Sequence, residues 1–108
     1  MAVSAIPIYY NLTDDAKASA EKGVVGNVRG GIMLYYADSA KSGGTPSYPS
    51  PLDAEAAGTA ASDTNPLFVN VISGGVTDGW TKTSDTIYVG PTGASYVYSP
   101  VSGTFLKQ

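Results

Sequence analysis

The sequence predicts an α+β domain in which one long N-terminal helix packs on a small antiparallel β-meander. Three observations carry that expectation. Apolar residues recur every fourth position from Ala16 to Tyr36. Gly and Pro punctuation changes at about residue 42. Short runs rich in Val, Tyr, Ile and Thr close the chain. A length of 108 residues fits one domain. Its expected parts are a helix over 1–38, an αβ loop with short helices over 39–80, and an antiparallel sheet over 81–108.

The helix should begin near Ile8, just after Pro7, or run through Pro7 with a kink. Ala16, Ala20, Val24, Val28, Ile32 and Tyr36 form its apolar stripe, with Val25 and Tyr35 on the same side. Val24, Val25, Val28, Ile32 and Tyr36 are therefore the expected intramolecular face. Ser19, Gly23, Gly26 and Gly30 cluster on the opposite side. Each interior Gly costs a helix up to about 1 kcal/mol relative to Ala. A solvated face has no need of small residues in a row, whereas a face on which another helix packs closely does. Gly30-Gly31 could instead end the helix. The apolar pattern resumes over 32–37, which favours a helix to about Asp38.

Residues 39–50 are loop by composition. Ser50-Pro51 looks like an N-cap with Pro at the first helical position, and Gly58 can close a short helix over 51–57. Asn65-Pro66 repeats the device. Leu67, Phe68, Val71 and Ile72 then pair at helical spacing before Gly74-Gly75, with a strand over 67–72 as the competing reading. Runs at 86–90, 95–99 and 104–107, separated by turns at 91–93 and 99–103, read as a three-stranded meander. Trp80 should plug the edge between helix and sheet.

Composition excludes much chemistry. The chain has no His and no Cys, which removes disulfides, thiolate nucleophiles, Cys/His zinc sites and any imidazole base. Charged residues are only 14%, and the net charge is −3 with six cations, which argues against a nucleic-acid partner. No apolar run approaches the roughly 20 residues that span a bilayer. No catalytic constellation emerges, so the chain is not expected to be an enzyme. Asp78 and Asp85, in the hydroxyl-rich stretch TDGWTKTSD, could offer oxygen ligands to Ca²⁺, although their spacing is not that of an EF-hand. Asp14-Asp15 reads as a solvated helix start beside Lys17. Eight Tyr, including Tyr96 and Tyr98 on one strand face, suggest cross-strand packing or a platform for a glycan or surface polymer. Asn11-Leu12-Thr13 matches the glycosylation acceptor pattern.

Residues 2–38, AVSAIPIYYNLTDDAKASAEKGVVGNVRGGIMLYYAD, resemble the type IV pilins and the pseudopilins of type II secretion. Ala5-Ile6-Pro7 with Tyr9 and Tyr10 sits where that family joins its apolar helix to its amphipathic one. Tyr48-Pro49 with Leu52-Asp53 is similar to the loop that follows. Asn65-Pro66-Leu67-Phe68, Gly75, Asp78-Gly79-Trp80 and Gly103-Thr104-Phe105 occur in the family's order. The resemblance implies a structural subunit of a pilus or a secretion pseudopilus, polymerising with like subunits through its helix. Ser19, Gly23, Gly26 and Gly30 would then meet neighbouring helices, and Pro7 would mark the kink. It implies an extracytoplasmic location, at the inner membrane before assembly and in a surface filament or periplasmic pseudopilus after it. Major pseudopilins carry Ca²⁺ in the C-terminal loop region, where Asp78 and Asp85 are the nearby acids. The family's basic leader, Phe-Thr-Leu-x-Glu start and first apolar half-helix do not precede Ala2. Met1 is therefore expected to be an introduced start, and the chain to be an anchorless, monomeric piece.

Overall fold

The computed structural model describes residues 13–41, 43 and 45–108. The expected helix start near Ile8, the Pro7 kink and the Asn11 acceptor pattern lie outside those residues. A single helix, α1 (Asp14–Lys41), packs on a four-stranded antiparallel sheet. The sheet is formed by β1 (Thr81–Lys82), β2 (Ile87–Val89), β3 (Ser95–Ser99) and β4 (Thr104–Lys107), in the order β1-β2-β3-β4. This is the α+β arrangement read from the sequence.

Local chemistry explains how α1 starts. The Ala16 amide donates to Thr13 Oγ1 at 3.2 Å, and the Lys17 amide to the Thr13 carbonyl at 2.9 Å, which makes Thr13 the N-cap. Asp14 and Asp15 follow in the first turn, where the helix dipole favours negative charge. The helix continues to Lys41, three residues past the expected Asp38, and Lys41 pairs with Asp38 at 3.3 Å. At 28 residues α1 is roughly 42 Å long, close to the molecule's longest dimension of 46 Å.

The sheet differs from the expected meander by one strand. β1 pairs with β2 in the register Thr81↔Val89 and Lys82↔Tyr88. Beyond β1, an isolated bridge joins Ala60 to Thr81. The Ala61 amide donates to the Trp80 carbonyl at 2.8 Å, and the Lys82 amide to the Thr59 carbonyl at 2.8 Å. The strand could not be read from the sequence because its two residues carry no periodicity. The β3-β4 turn brings Gly103 under Tyr48, where a Cβ would lie 2.2 Å from the ring, so only Gly fits.

The expected short helices are replaced by turns. Around 51–57, the Asp53 side chain accepts the Glu55 amide at 3.1 Å, a local bond that competes with helix. Around 67–73, Leu67 exchanges both backbone hydrogen bonds with Val76, at 2.9 and 2.7 Å. Phe68 takes a positive φ of 63°, which no helix accommodates. A single turn survives, with the Val71 and Ile72 amides both donating to the Phe68 carbonyl. Leu67–Val76 is thus a bridge, nearer to the competing strand reading than to the helix.

The core lies between α1 and the sheet. Val24, Val25, Val28 and Ile32 are all buried and face Phe68, Trp80, Tyr88, Tyr96 and Phe105. Trp80 does not plug an edge; it lies inside, edge-on to Phe68 with ring centroids 5.5 Å apart and within 6.4 Å of Phe105. Tyr36 is half-buried and stacks on Tyr48 at 4.3 Å, tying α1 to the loop after it. Gly31 rests on the Val71 backbone, whose carbonyl oxygen would lie 2.0 Å from an added Cβ.

Neighbouring glycines on α1 therefore respond oppositely to a methyl group. Gly26→Ala and Gly30→Ala should each raise unfolding free energy by about 0.5–1 kcal/mol through helix propensity. Gly31→Ala should lower it by about 1–3 kcal/mol, because backbone must move to admit the methyl. Urea unfolding followed by circular dichroism measures all three.

Candidate functional site

Two buried polar clusters and one bare helix face stand out. The first cluster surrounds Asp53, which is wholly buried. Its Oδ1 accepts Lys82 Nζ at 2.8 Å and the Glu55 amide at 3.1 Å. Its Oδ2 accepts the Phe68 amide at 3.0 Å and the Tyr88 hydroxyl at 2.8 Å. The carboxylate is thereby held by four donors from four separate stretches of chain. Lys82 is also buried, and its second acceptor is the Glu55 carbonyl at 2.7 Å. Burial and the negative charge of Asp53 hold the Tyr88 hydroxyl proton well above the usual tyrosine range. Asp53, Lys82 and Tyr98 line an open cavity of about 290 Å³, with Glu55, Asp85 and Thr86 among the residues around it.

The second cluster joins α1 to the β2-β3 turn. Glu21 is buried on the core side of the helix. Its Oε1 accepts the Thr92 amide at 3.0 Å and the Thr92 hydroxyl at 2.8 Å, and its Oε2 accepts the Tyr96 hydroxyl at 2.7 Å. A Cβ on Gly90 would lie 2.3 Å from Glu21 Oε1, so the strand end must be bare for the carboxylate to enter. Farther along α1, Arg29 Nε donates to the Phe105 carbonyl at 2.9 Å.

The helix face opposite the core is open. Ser19, Gly23, Gly26 and Gly30 are exposed, and a Cβ added to any of the three glycines would meet nothing within 4 Å among the described residues. Met33, Leu34 and Tyr35 continue the exposed helix surface and are 58%, 44% and 40% accessible.

Of the other expected site residues, Asp78 and Asp85 flank β1 in the chain, and the sheet tyrosines fall inside. Asp85 borders the Asp53 cavity, while Asp78 is half-buried in the turn before Trp80. Among the described residues no three acidic side chains assemble as metal ligands, and Ca²⁺ takes six to eight oxygens. Tyr88, Tyr96 and Tyr98 are buried, so the sheet offers no aromatic platform. Each of their hydroxyls instead reaches across the core: Tyr88 to Asp53, Tyr96 to Glu21, Tyr98 to the Pro49 carbonyl. Asp53, Lys82 and Glu21 escaped the sequence reading. Glu21 lies within the apolar stripe, three residues before Val24. Lys82 follows Trp80 at strand spacing. Glu21 was legible as a polar group on a buried face, whereas Lys82 was not, because its two-residue strand carries no period of its own.

Compared with known proteins, the chain matches no protein-family model, no curated protein and no solved structure.

The clusters set the response to mutation and pH. Lys82→Met should lower unfolding free energy by about 3–5 kcal/mol, since it leaves the Asp53 charge buried without its cation. Burial and hydrogen bonding to Glu21 push the Tyr96 hydroxyl up to about 12, with Arg29 pulling slightly the other way. Burial, then the nearby Tyr35 and Tyr48, push Tyr98 up to about 12 as well. A raised pKa stabilises the fold in full below the unfolded value near 10 and loses that contribution as pH rises toward 12. Unfolding free energy should therefore fall above about pH 10, by up to roughly 1.4 kcal/mol per pH unit for each of the two tyrosines. Urea midpoints taken across that range measure the slope. The ultraviolet phenolate band should show both tyrosines still protonated at about pH 11 in the native protein and ionised in urea.

Proposed function

We propose that this chain is a structural subunit of a type IV pilus or type II secretion pseudopilus, polymerising with like subunits through the outer face of α1. One observation carries the reading. Gly23, Gly26 and Gly30 weaken the helix by up to about 1 kcal/mol each, and no described part of the chain occupies the space they leave. Gly31, one position away, is needed inside the fold against Val71. The two sides of α1 thus use small residues for different neighbours. The bare outer side suits a second helix at close approach.

The rest of the molecule is consistent with that role. The inner side of α1 is consumed by Val24, Val25, Val28 and Ile32, by Glu21, and by the Arg29 bond to β4. Such a helix can be gripped from outside without loosening its own domain. The sequence likeness to pilins supplies the filament class, the extracytoplasmic location and the contact with the inner membrane before assembly. In the same reading the chain performs no catalysis. The glycan-platform alternative loses its basis, because the strand tyrosines it needs are buried.

Replacing Gly26 and Gly30 together by Leu in the native gene tests the assignment. Filaments seen by electron microscopy should disappear, while the purified variant keeps the circular dichroism of the parent and gains about 1–2 kcal/mol in unfolding free energy. Normal filaments from that variant would refute packing through this face.

A further inference from the structure

We propose that the Lys82 amine and the Asp53 carboxyl condense within the folded chain to form an intramolecular amide cross-link between β1 and the loop that follows α1. The inference stands apart from the filament reading and rests on the geometry of the first buried cluster.

Nζ and Oδ1 are 2.8 Å apart, and both side chains are buried to within 1% of complete. That separation brings an amine nitrogen against a carboxyl group whose position is fixed by three other donors. Holding two reactants in contact removes most of the entropic barrier to a bimolecular step, and effective molarities for well-oriented pairs reach about 10⁵ M or more. A desolvated lysine is the usual amine nucleophile of folded proteins. The other carboxyl oxygen, Oδ2, lies against the Phe68 amide at 3.0 Å and the Tyr88 hydroxyl at 2.8 Å. Two donors on one oxygen make an oxyanion hole for the tetrahedral adduct. Tyr88 keeps its proton through the neutral range, as its burial beside Asp53 requires, and so remains a donor throughout.

The step balances without a co-reactant. The pair begins as ammonium and carboxylate. One ammonium proton passes to Oδ1, which leaves a neutral amine and a neutral acid. The Nζ lone pair then bonds to Cγ, and negative charge collects on Oδ2 between Phe68 and Tyr88. A second proton moves from nitrogen to Oδ1, the Cγ–Oδ1 bond breaks, and Oδ1 leaves as water. Nitrogen keeps one hydrogen as the amide N–H. Asp53 and Lys82 both line the open cavity beside the pair, which gives the water a way out. In a chain without cysteine, the product ties the loop to the sheet as a disulfide would.

Intact-mass spectrometry of the purified, folded chain tests the proposal. The mass should be about 18 Da below that of the sequence, the mass of the water released. After denaturation trypsin should fail to cut at Lys82, leaving residues 42–107 as one water-deficient fragment. Lys82→Arg keeps a cation beside Asp53 but not the primary amine, and it should show the full sequence mass. Tyr88→Phe should slow linkage on the order of a hundred-fold, the cost of one oxyanion donor. A full sequence mass in the parent chain overturns the proposal. So does a water-deficient chain that trypsin still cuts at Lys82, which would place the loss in a succinimide or elsewhere. Loss of water persisting in Lys82→Arg overturns it equally.

Discussion

The buried carboxylate of Asp53 is the constraint on which the remaining structure depends. A charge without water must be neutralised and hydrogen-bonded, or it destabilises the fold by several kcal/mol. Here four donors meet that demand, and they come from Glu55, Phe68, Lys82 and Tyr88. Three of those donors lie 15 residues or more from Asp53 in the chain. Satisfying one carboxylate therefore fixes the loop after the helix, the turn at Phe68, β1 and β2 against one another. The requirement also explains why the loop gives up its helix: the Asp53 side chain must turn inward and collect amides rather than cap a helical turn.

The sheet then acts as a set of three levers. Tyr88, Tyr96 and Tyr98 share its inner face, and each carries its hydroxyl to a different target. Their rings supply apolar burial, and their tips supply direction. Phe105 stacks on Tyr96 at 5.4 Å and lies edge-on to Phe68 at 5.8 Å, so one aromatic layer connects all the targets. Glu21 does for α1 what Asp53 does for the loop. A buried carboxylate with three donors sets where along its axis, and in which rotation, the helix meets the sheet. That rotation leaves Gly23, Gly26 and Gly30 outward. The proposed assembly face is in this sense a product of the interior polar network.

Much of the architecture was legible in the residues themselves. The period of four through Val24, Val28 and Ile32 placed α1 on a core. Alternating Tyr and Val marked β3, and Gly-containing turns separated it from its neighbours. These features are local: periodicity, capping and turn chemistry are set by residues a few positions apart. The outward stripe of Gly belongs here too, because the face opposite an apolar stripe follows from helix geometry alone.

Other features were decided only by the tertiary structure. β1 exists because β2 and the bridge at Ala60 pair with it; two residues have no pattern of their own. Pro51 and Pro66 announced helices that long-range demands cancelled, those of Asp53 and of the Leu67–Val76 bridge. Lys82 and Asp53 look like ordinary surface charges until chain segments 29 residues apart are brought together. The division follows the range of the forces. Sequence by itself determined what neighbours along the chain can settle, and it assigned each residue an intrinsic preference. The fold decided every case in which a buried charge had to find a counter-charge from elsewhere in the chain, because in the absence of water that cost exceeds any local propensity.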